Sequence, residues 1–142
     1  MSKKRDKQIR AAQQVPQTGQ SLAPNLSVSS QGESPAFCLK YLSGHYCLTK
    51  CEQSEQAALA ATLHKLCKLT WGDIQQAHRH GAGFETIARH SIKTGIPAAI
   101  GEDVRLLAFR FSGKKAMVGF RTGRIFHVVF LDPKFTLYDH GS

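Results

Sequence analysis

The sequence predicts an α+β fold in which an N-terminal helical hairpin packs on a three- to four-stranded antiparallel sheet. Apolar residues with helical spacing are concentrated between residues 54 and 78, whereas residues 104–131 carry alternating and continuous apolar runs separated by glycine turns. Helices followed by consecutive strands are typical of the α+β class, because strands that follow one another in sequence can pair as hairpins.

The helical hairpin is predicted from residues 54–78. A first helix over residues 54–69 has three leucines at i, i+4 and i+7, which share one face: Leu59, Leu63 and Leu66. Thr70 and Asp73 then form the sequence signature of a capping box, so we expect a second helix that extends to about His78. Because no loop separates the two helices, they are expected to form a tight hairpin.

The sheet is predicted from short apolar runs. They indicate strands or extended segments at residues 36–43, 84–89, 104–111, 116–121 and 124–131, with a short strand or sheet-edge segment at 135–138. Gly113 and Gly123 mark two hairpin turns. The nearly continuous apolarity of residues 124–131 predicts a central strand that the helices cover on one face.

Domain organisation is predicted from composition. Residues 1–35 have no periodic apolar pattern and are rich in Lys, Arg, Gln, Ser and Pro. Such a segment buries too little apolar surface to offset its ordering entropy, so we expect a disordered basic and polar tail at 1–35 and one folded domain at 36–142. No apolar run reaches the roughly 18 residues of a membrane span, and no secretory signal is recognisable, so we expect a cytoplasmic protein without a membrane partner.

The net charge indicates the class of partner. The chain has 19 basic and 10 acidic residues, a net charge of +9 and a pI near 9.7. Residues 36–142 alone hold 14 Lys and Arg against 8 Asp and Glu, or +6. The predicted domain is therefore basic in its own right, which favours a polyanionic partner such as nucleic acid or an acidic protein.

The cysteines and carboxylates argue against metal chemistry. Four cysteines are present, but their spacing lacks the two paired knuckles of a structural zinc site, so we expect structural thiols. Acidic residues do not cluster, and no phosphate-binding glycine loop occurs. The sequence therefore predicts no cofactor.

The second half of the chain instead offers His, Tyr, Arg and Lys, a set that suits metal-free RNA cleavage. RNA carries its own nucleophile, the 2′-OH, so the protein must only move two protons and neutralise the phosphate. Structural roles remain open for the same residues. His127 lies in an apolar strand and can be a core histidine, Tyr138 can cap the core, and His140 can be frayed.

Residues 36–142 resemble a known family. The segments that carry the resemblance are LHKL (63–66), LTW (69–71), HRHGAGFETI (78–87), SIK (91–93), FRFSGKK (109–115), MVGFR (117–121), GRIFHV (123–128) and the stretch from Asp132 to Gly141. They are similar to the small bacterial proteins described as ParE-like toxins of type II toxin–antitoxin systems, which are distantly similar to the RelE/ParE superfamily. The resemblance does not extend to the tail.

This resemblance implies a RelE/ParE-like toxin domain at 36–142 and a set of functional positions. In RelE-like members, an Arg on an early sheet strand, a basic residue after the penultimate strand and a Tyr near the chain end serve mRNA cleavage. Those roles fall on Arg105, Lys134 and Tyr138, with Arg110 as a competitor of Arg105. Lys93 is the nearest counterpart of a lysine cluster that RelE-like members have before the first sheet strand.

The combined prediction is a toxin that acts as a metal-independent endoribonuclease, a hydrolase that binds and cleaves mRNA. The predicted catalytic residues are Arg105, His127, Lys134, Tyr138 and His140. The predicted substrate-binding residues are His80, Lys93, Arg110, Lys114, Lys115, Arg121 and Arg124.

The expected partners are a cognate antitoxin and mRNA or the ribosome. ParE-like members instead inhibit DNA gyrase without cleaving RNA, so gyrase inhibition is an alternative function. A nucleic-acid-binding module without toxicity is a further alternative.

Overall fold

The computed structural model describes residues 30–78 and 81–139. These residues form helices α1 (Gln53–Cys67) and α2 (Trp71–Gln76) and strands β1 (Ala36–Cys38), β2 (Phe84–Ile87), β3 (Leu106–Ser112), β4 (Lys115–Thr122) and β5 (Ile125–Asp132). Single 3-10 turns lie at Ser30–Gly32, Leu48–Lys50 and Arg89–Ser91. None of the helices in this part of the chain is long and apolar enough to cross a bilayer.

The α+β class is confirmed, but the predicted sheet is wrong in detail. The strands form one five-stranded sheet in the order β1-β5-β4-β3-β2. Strand β1 pairs with β5 in parallel, whereas all other neighbours are antiparallel, so the sheet is mixed. The parallel pairing joins Ala36 to Ile125. Contacts so distant in sequence leave no local signal, which explains why the pattern predicted only an antiparallel sheet.

The predicted helical hairpin is also wrong, because only α1 is a substantial helix. Helix α1 has 15 residues, whereas α2 has 6 and ends before Ala77, whose backbone is extended. The capping box that begins α2 is confirmed: the Asp73 N–H donates to Thr70 Oγ1 at 3.1 Å, and the Thr70 N–H donates to Asp73 Oδ2 at 3.0 Å. The predicted start of α2 is therefore correct, but the helix has less than two turns. Its buried residues are Trp71 and Ile74.

The sheet is covered on both faces rather than one. We call the side that contacts the helices the helix face; its buried residues include Trp71, Leu107, Phe109, Phe126 and Val128. The opposite side, the loop face, packs against residues of the 88–104 connection and the 133–138 segment, and its buried residues include Ile100, Leu106, Val118, Phe130 and Leu137. Burial on both faces accounts for the nearly continuous apolarity of β5.

A β-bulge interrupts the pairing of β4 with β5. Val118 pairs with Phe130, but Gly119 pairs with Val128, so Val129 is an extra residue. Val129 and Phe130 both belong to the loop-face core. The bulge therefore breaks the strict alternation of side chains in β5.

The segment after β5 is held by a buried carboxylate rather than by strand pairing. Asp132 is fully buried, and its two carboxylate oxygens accept hydrogen bonds from the backbone N–H groups of Thr136 at 3.0 Å and Leu137 at 3.2 Å. This turn places Phe135 at a φ of 59°, an unusual value for a bulky residue. Residues 135–138 run along the loop face and form no strand.

Residues 30–35, which the composition predicts as part of the tail, pack against the domain. The backbone N–H of Trp71 donates to the Glu33 carbonyl at 2.9 Å, and Ser30 is 2% exposed. Residues 1–29 of the predicted tail lie outside the described residues.

Replacement of Gly119 by Ala tests the bulge. A Cβ atom at Gly119 would lie 1.9 Å from the His127 carbonyl oxygen, a backbone atom that cannot move independently. We expect Gly119→Ala to lower the free energy of unfolding by about 3 kcal/mol, measured by urea denaturation. Gly44→Ala is the matched control, because nothing lies within 4 Å of its added Cβ, and it should change stability by less than about 1 kcal/mol. Equal stability of the two variants would contradict this account of the bulge.

Candidate functional site

A basic cleft lies on the helix face, beside α2 and near the end of the sheet where β3 begins and β4 ends. Its volume is about 400 Å³. The polar and aromatic residues that line it include Gln75, Phe84, Asp103, Arg105, Arg121 and Thr122. We call it the arginine cleft, because Arg105 and Arg121 are the two cations among its lining residues.

Arg105 supplies the exposed cation of the cleft. It immediately precedes β3, and its side chain makes no hydrogen bond or ion pair with any residue in the described ranges. An exposed guanidinium that no carboxylate neutralises presents its donors to an incoming anion.

Arg121 supplies the ordered cation. Its guanidinium carbon lies 4.2 Å from the ring centroid of Trp71, its Nε donates to the Gly123 carbonyl at 2.7 Å, and an Nη donates to Ser30 Oγ at 2.8 Å. Partial burial lowers the pKa of Arg121, yet an arginine remains charged at neutral pH. No carboxylate within the described part of the chain forms an ion pair with it. Arg121 is therefore a half-buried cation in a fixed orientation without a neutralising acid.

His127 lies across the end of the sheet from this cleft. Its Nε2 is 2.7 Å from the Oγ1 of Thr122, a residue that lines the cleft, but its ring is on the loop face, stacked on Phe120 at 4.6 Å. Burial lowers the pKa of His127, and the positive charge of Lys40 lowers it further. The Nδ1 atom is buried and has no hydrogen-bond partner among the residues described. The imidazole is therefore neutral at pH 7 and could accept a proton.

Tyr138 belongs to a different group on the loop face. It is 4% exposed, and burial is the main cause of its raised pKa; the negative charges of Glu85 and Asp132 add to the shift. The phenol forms a hydrogen bond with the Glu85 side chain, and Arg110 partly offsets the shift. Tyr138 is thus held protonated, as a hydrogen-bond donor to a carboxylate.

Lys93 connects to the same segment as Tyr138. Its Nζ lies 2.6 Å from Asp139 Oδ1, and its backbone N–H donates to the Leu137 carbonyl at 2.7 Å. The structure therefore brings Lys93, Arg110 and Tyr138 to one region. These three predicted site residues are near one another but away from the arginine cleft.

The other predicted residues lie elsewhere. Lys134 lines a shallow pocket of about 120 Å³ with His45 and Lys50. Lys115 forms an ion pair with Glu55, a contact that raises the pKa of Lys115 and lowers that of Glu55. Lys114 is exposed at the tip of the β3–β4 hairpin.

Arg124 lies in the β4–β5 hairpin, two residues after the cleft residue Thr122, but it does not line the cleft, and its Nε is 3.8 Å from Glu33 Oε2. His80 and His140 lie outside the described residues.

The predicted RelE-like trio is not assembled in one cleft. Arg105 is on the helix face, Tyr138 is buried on the loop face and Lys134 lines a separate pocket. Sequence reasoning missed Asp103, Phe84 and Thr122, which line the arginine cleft. The alternation of β3 and β4 could have placed Arg105 and Arg121 on one face, but the neighbours contributed by other segments carry no local signal.

Across residues 30–78 and 81–139, no group of three or more His, Cys, Asp or Glu side chains is placed to hold a metal ion. Comparison with protein-family models, with curated proteins and with solved structures gave no match.

The lowered pKa of His127 predicts a loss of stability in acid. The folded state binds the proton less tightly than the unfolded state, whose pKa is near 6.5, so His127 contributes stability above that pH and loses it as the pH falls further. Between pH 7.5 and pH 5.5, the melting temperature of the wild type should fall more than that of His127→Gln. His45→Gln, at an exposed histidine, should retain the wild-type acid response. An identical fall in all three proteins would contradict the assignment.

Proposed function

We propose that this chain is a type II toxin whose arginine cleft binds mRNA and which cleaves that RNA without a metal ion. The observation that carries the proposal is the pair of arginines, Arg105 and Arg121, which line one cleft and lack a carboxylate partner in the described ranges. The family resemblance supplies the toxin class, and the net charge of +9 supports a polyanionic ligand.

The cleft suits a single RNA strand better than a duplex. Two guanidinium groups can hold a phosphate through charge-assisted hydrogen bonds, and the ring of Phe84 offers an aromatic wall for a base. Recognition of unpaired RNA commonly combines these two contacts. A strand that leaves the cleft over Thr122 reaches the loop face at His127, where Lys40 adds positive charge.

Cleavage would occur where the RNA strand passes from Thr122 to His127. The neutral imidazole of His127 takes the proton of a ribose 2′-OH, and the 2′-oxygen forms a bond to phosphorus. The bond from phosphorus to the 5′-oxygen then breaks, the leaving oxygen takes a proton from water, and the resulting hydroxide takes the proton from the His127 imidazolium, which restores the neutral ring. The products are a 2′,3′-cyclic phosphate and a 5′-hydroxyl end. Such a reaction needs no metal ion in this proposal, because the positive charge of Lys40 near His127 stabilises the charge that develops on the phosphate.

The proposal places the protein in the cytoplasm, where mRNA and the ribosome are. A cognate antitoxin that carries acidic side chains could cover the basic cleft and block RNA.

A second candidate is a nucleic-acid-binding protein that does not cleave. It is favoured by the separation of the predicted catalytic residues: His127 is across the sheet from the arginines, and Tyr138 is buried in another region. If the chain instead inhibits DNA gyrase, induced expression should stop growth while mRNA stays intact.

Arg105→Gln tests the binding step. Loss of one phosphate contact should weaken binding to single-stranded RNA and reduce the slope of log affinity against log salt by about 1. The measurement is fluorescence anisotropy with a labelled 2′-O-methyl RNA at several salt concentrations. Lys65→Gln removes the same charge from an exposed position of α1 that lines none of the pockets described above, and it should leave the slope nearly unchanged. Equal slopes for the two variants would remove the arginine cleft as the binding site.

His127→Gln tests the cleavage step. Induced expression of the wild type should stop growth and produce mRNA fragments with 2′,3′-cyclic phosphate ends, whereas His127→Gln should cleave about 10²- to 10⁴-fold more slowly with RNA affinity retained. Tyr138→Phe keeps the buried ring and should retain cleavage, because the phenol lies outside the proposed reaction path. Sequencing of RNA ends measures cleavage by the wild type and by the two variants. Growth arrest without new RNA ends would reject cleavage.

A further inference from the structure

The arginine cleft contains an acidic side chain that phosphate binding does not explain. Asp103 lines the cleft together with Arg105, yet it forms no ion pair with Arg105 or Arg121. A carboxylate in an anion site repels the ligand's phosphate. Its presence is understandable if it contacts a part of the ligand that donates hydrogen bonds.

The loop that carries Asp103 is anchored. The Val104 N–H donates to the Gly101 carbonyl at 3.1 Å, which closes a turn around Asp103. Arg89 donates to the carbonyl of the buried Ile100 at 2.8 Å and also to that of Gly101. A Cβ atom at Gly101 would lie 2.8 Å from Asp103 Oδ1, so the carboxylate lies close against this backbone. The turn therefore holds the backbone of Asp103 in place, with the carboxylate beside Gly101 at the edge of the cleft.

We propose that the arginine cleft holds one guanine nucleotide of the RNA strand and that Asp103 reads the Watson–Crick edge of the guanine. This inference rests on the proposed RNA binding and adds base specificity to it. Guanine presents two adjacent donors on that edge, N1–H and the N2 amino group, which match the two oxygens of a carboxylate. Adenine and cytosine each present an amino group beside an acceptor nitrogen, and uracil presents one N–H between two carbonyls, so none of them satisfies both oxygens.

The dimensions of the cleft agree with one nucleotide. Its volume of about 400 Å³ is within the range of small-ligand sites. The α-carbons of Asp103 and Arg105 are two residues apart, which limits their separation to about 7 Å. The ring of Phe84 is fixed by an edge-to-face contact with Phe109, with 5.6 Å between the ring centroids. One wall can thus stack the base while Asp103 reads its edge and Arg105 holds the phosphate.

The test uses 2′-O-methyl heptamers of uridine, which cannot be cleaved through the 2′-OH, with one central position changed to guanosine, inosine, adenosine or cytidine. Wild-type protein should bind the guanosine heptamer at least about fivefold more tightly than the adenosine or cytidine heptamers, which is the lower end of discrimination by a bidentate contact. Inosine lacks the N2 amino group and should have intermediate affinity. Asp103→Asn should reduce the preference for guanosine to less than about twofold and bind the other heptamers at least as tightly as the wild type does.

Glu102→Gln is the matched control. It removes the same charge from the adjacent exposed residue, which does not line the cleft, so the preference for guanosine should persist. Equal, salt-dependent binding of all heptamers by the wild type would overturn base reading and leave the proposed RNA binding intact. Failure of every heptamer to bind would overturn both. A guanosine preference that survives in Asp103→Asn would show that another group reads the base.

Discussion

The contacts of Trp71 join the parts of the molecule on which the arginine cleft depends. Its indole is fully buried against Phe109 and Phe126, and its Nε1 donates to the Arg124 carbonyl at 2.9 Å. One face of the ring supports the guanidinium of Arg121 at 4.2 Å. The capping box at Thr70 begins α2 at Trp71, so Trp71 takes part in the start of a helix, in the packing of the core and in the orientation of the Arg121 guanidinium. A half-buried arginine without an acidic partner is costly, and the stacking contact offsets part of that cost.

The loop face has a different organisation, in which carboxylates rather than cations are central. The buried oxygens of Asp132 hold the 133–138 segment against the sheet, and Glu85 accepts the hydrogen bond of Tyr138. These groups stabilise the second layer of the core. The residues of the predicted site are thereby divided between the arginine cleft and a region of the loop face where Lys93 and Tyr138 already have carboxylate partners.

Local signals in the sequence were sufficient for local features. The Leu59–Leu66 periodicity predicted α1, the capping box predicted where α2 begins, and the glycines at 113 and 123 predicted the hairpins, where both have positive φ. The parallel pairing of β1, the cover on the loop face and the association of Arg105 with Asp103 and Phe84 arise from contacts between distant segments. Tyr138 was predicted as reactive because of its position in the chain, and only its burial and its Glu85 partner show that its proton is held.

The extra residue in β5 changes which face of the sheet the side chains beyond it occupy. His127 and Asp132 are five positions apart, so in a regular strand their side chains would project from opposite faces. The bulge at Val129 shifts the alternation by one, and their cross-strand partners Phe120 and Ala116 both belong to the loop-face core. Because of this one extra residue, the His127 imidazole near the start of β5 and the Asp132 carboxylate at its end lie on the same face of the sheet. Deletion of one residue at the bulge would move every side chain of β5 on one side of the deletion to the other face of the sheet, because successive side chains in a strand alternate between two faces.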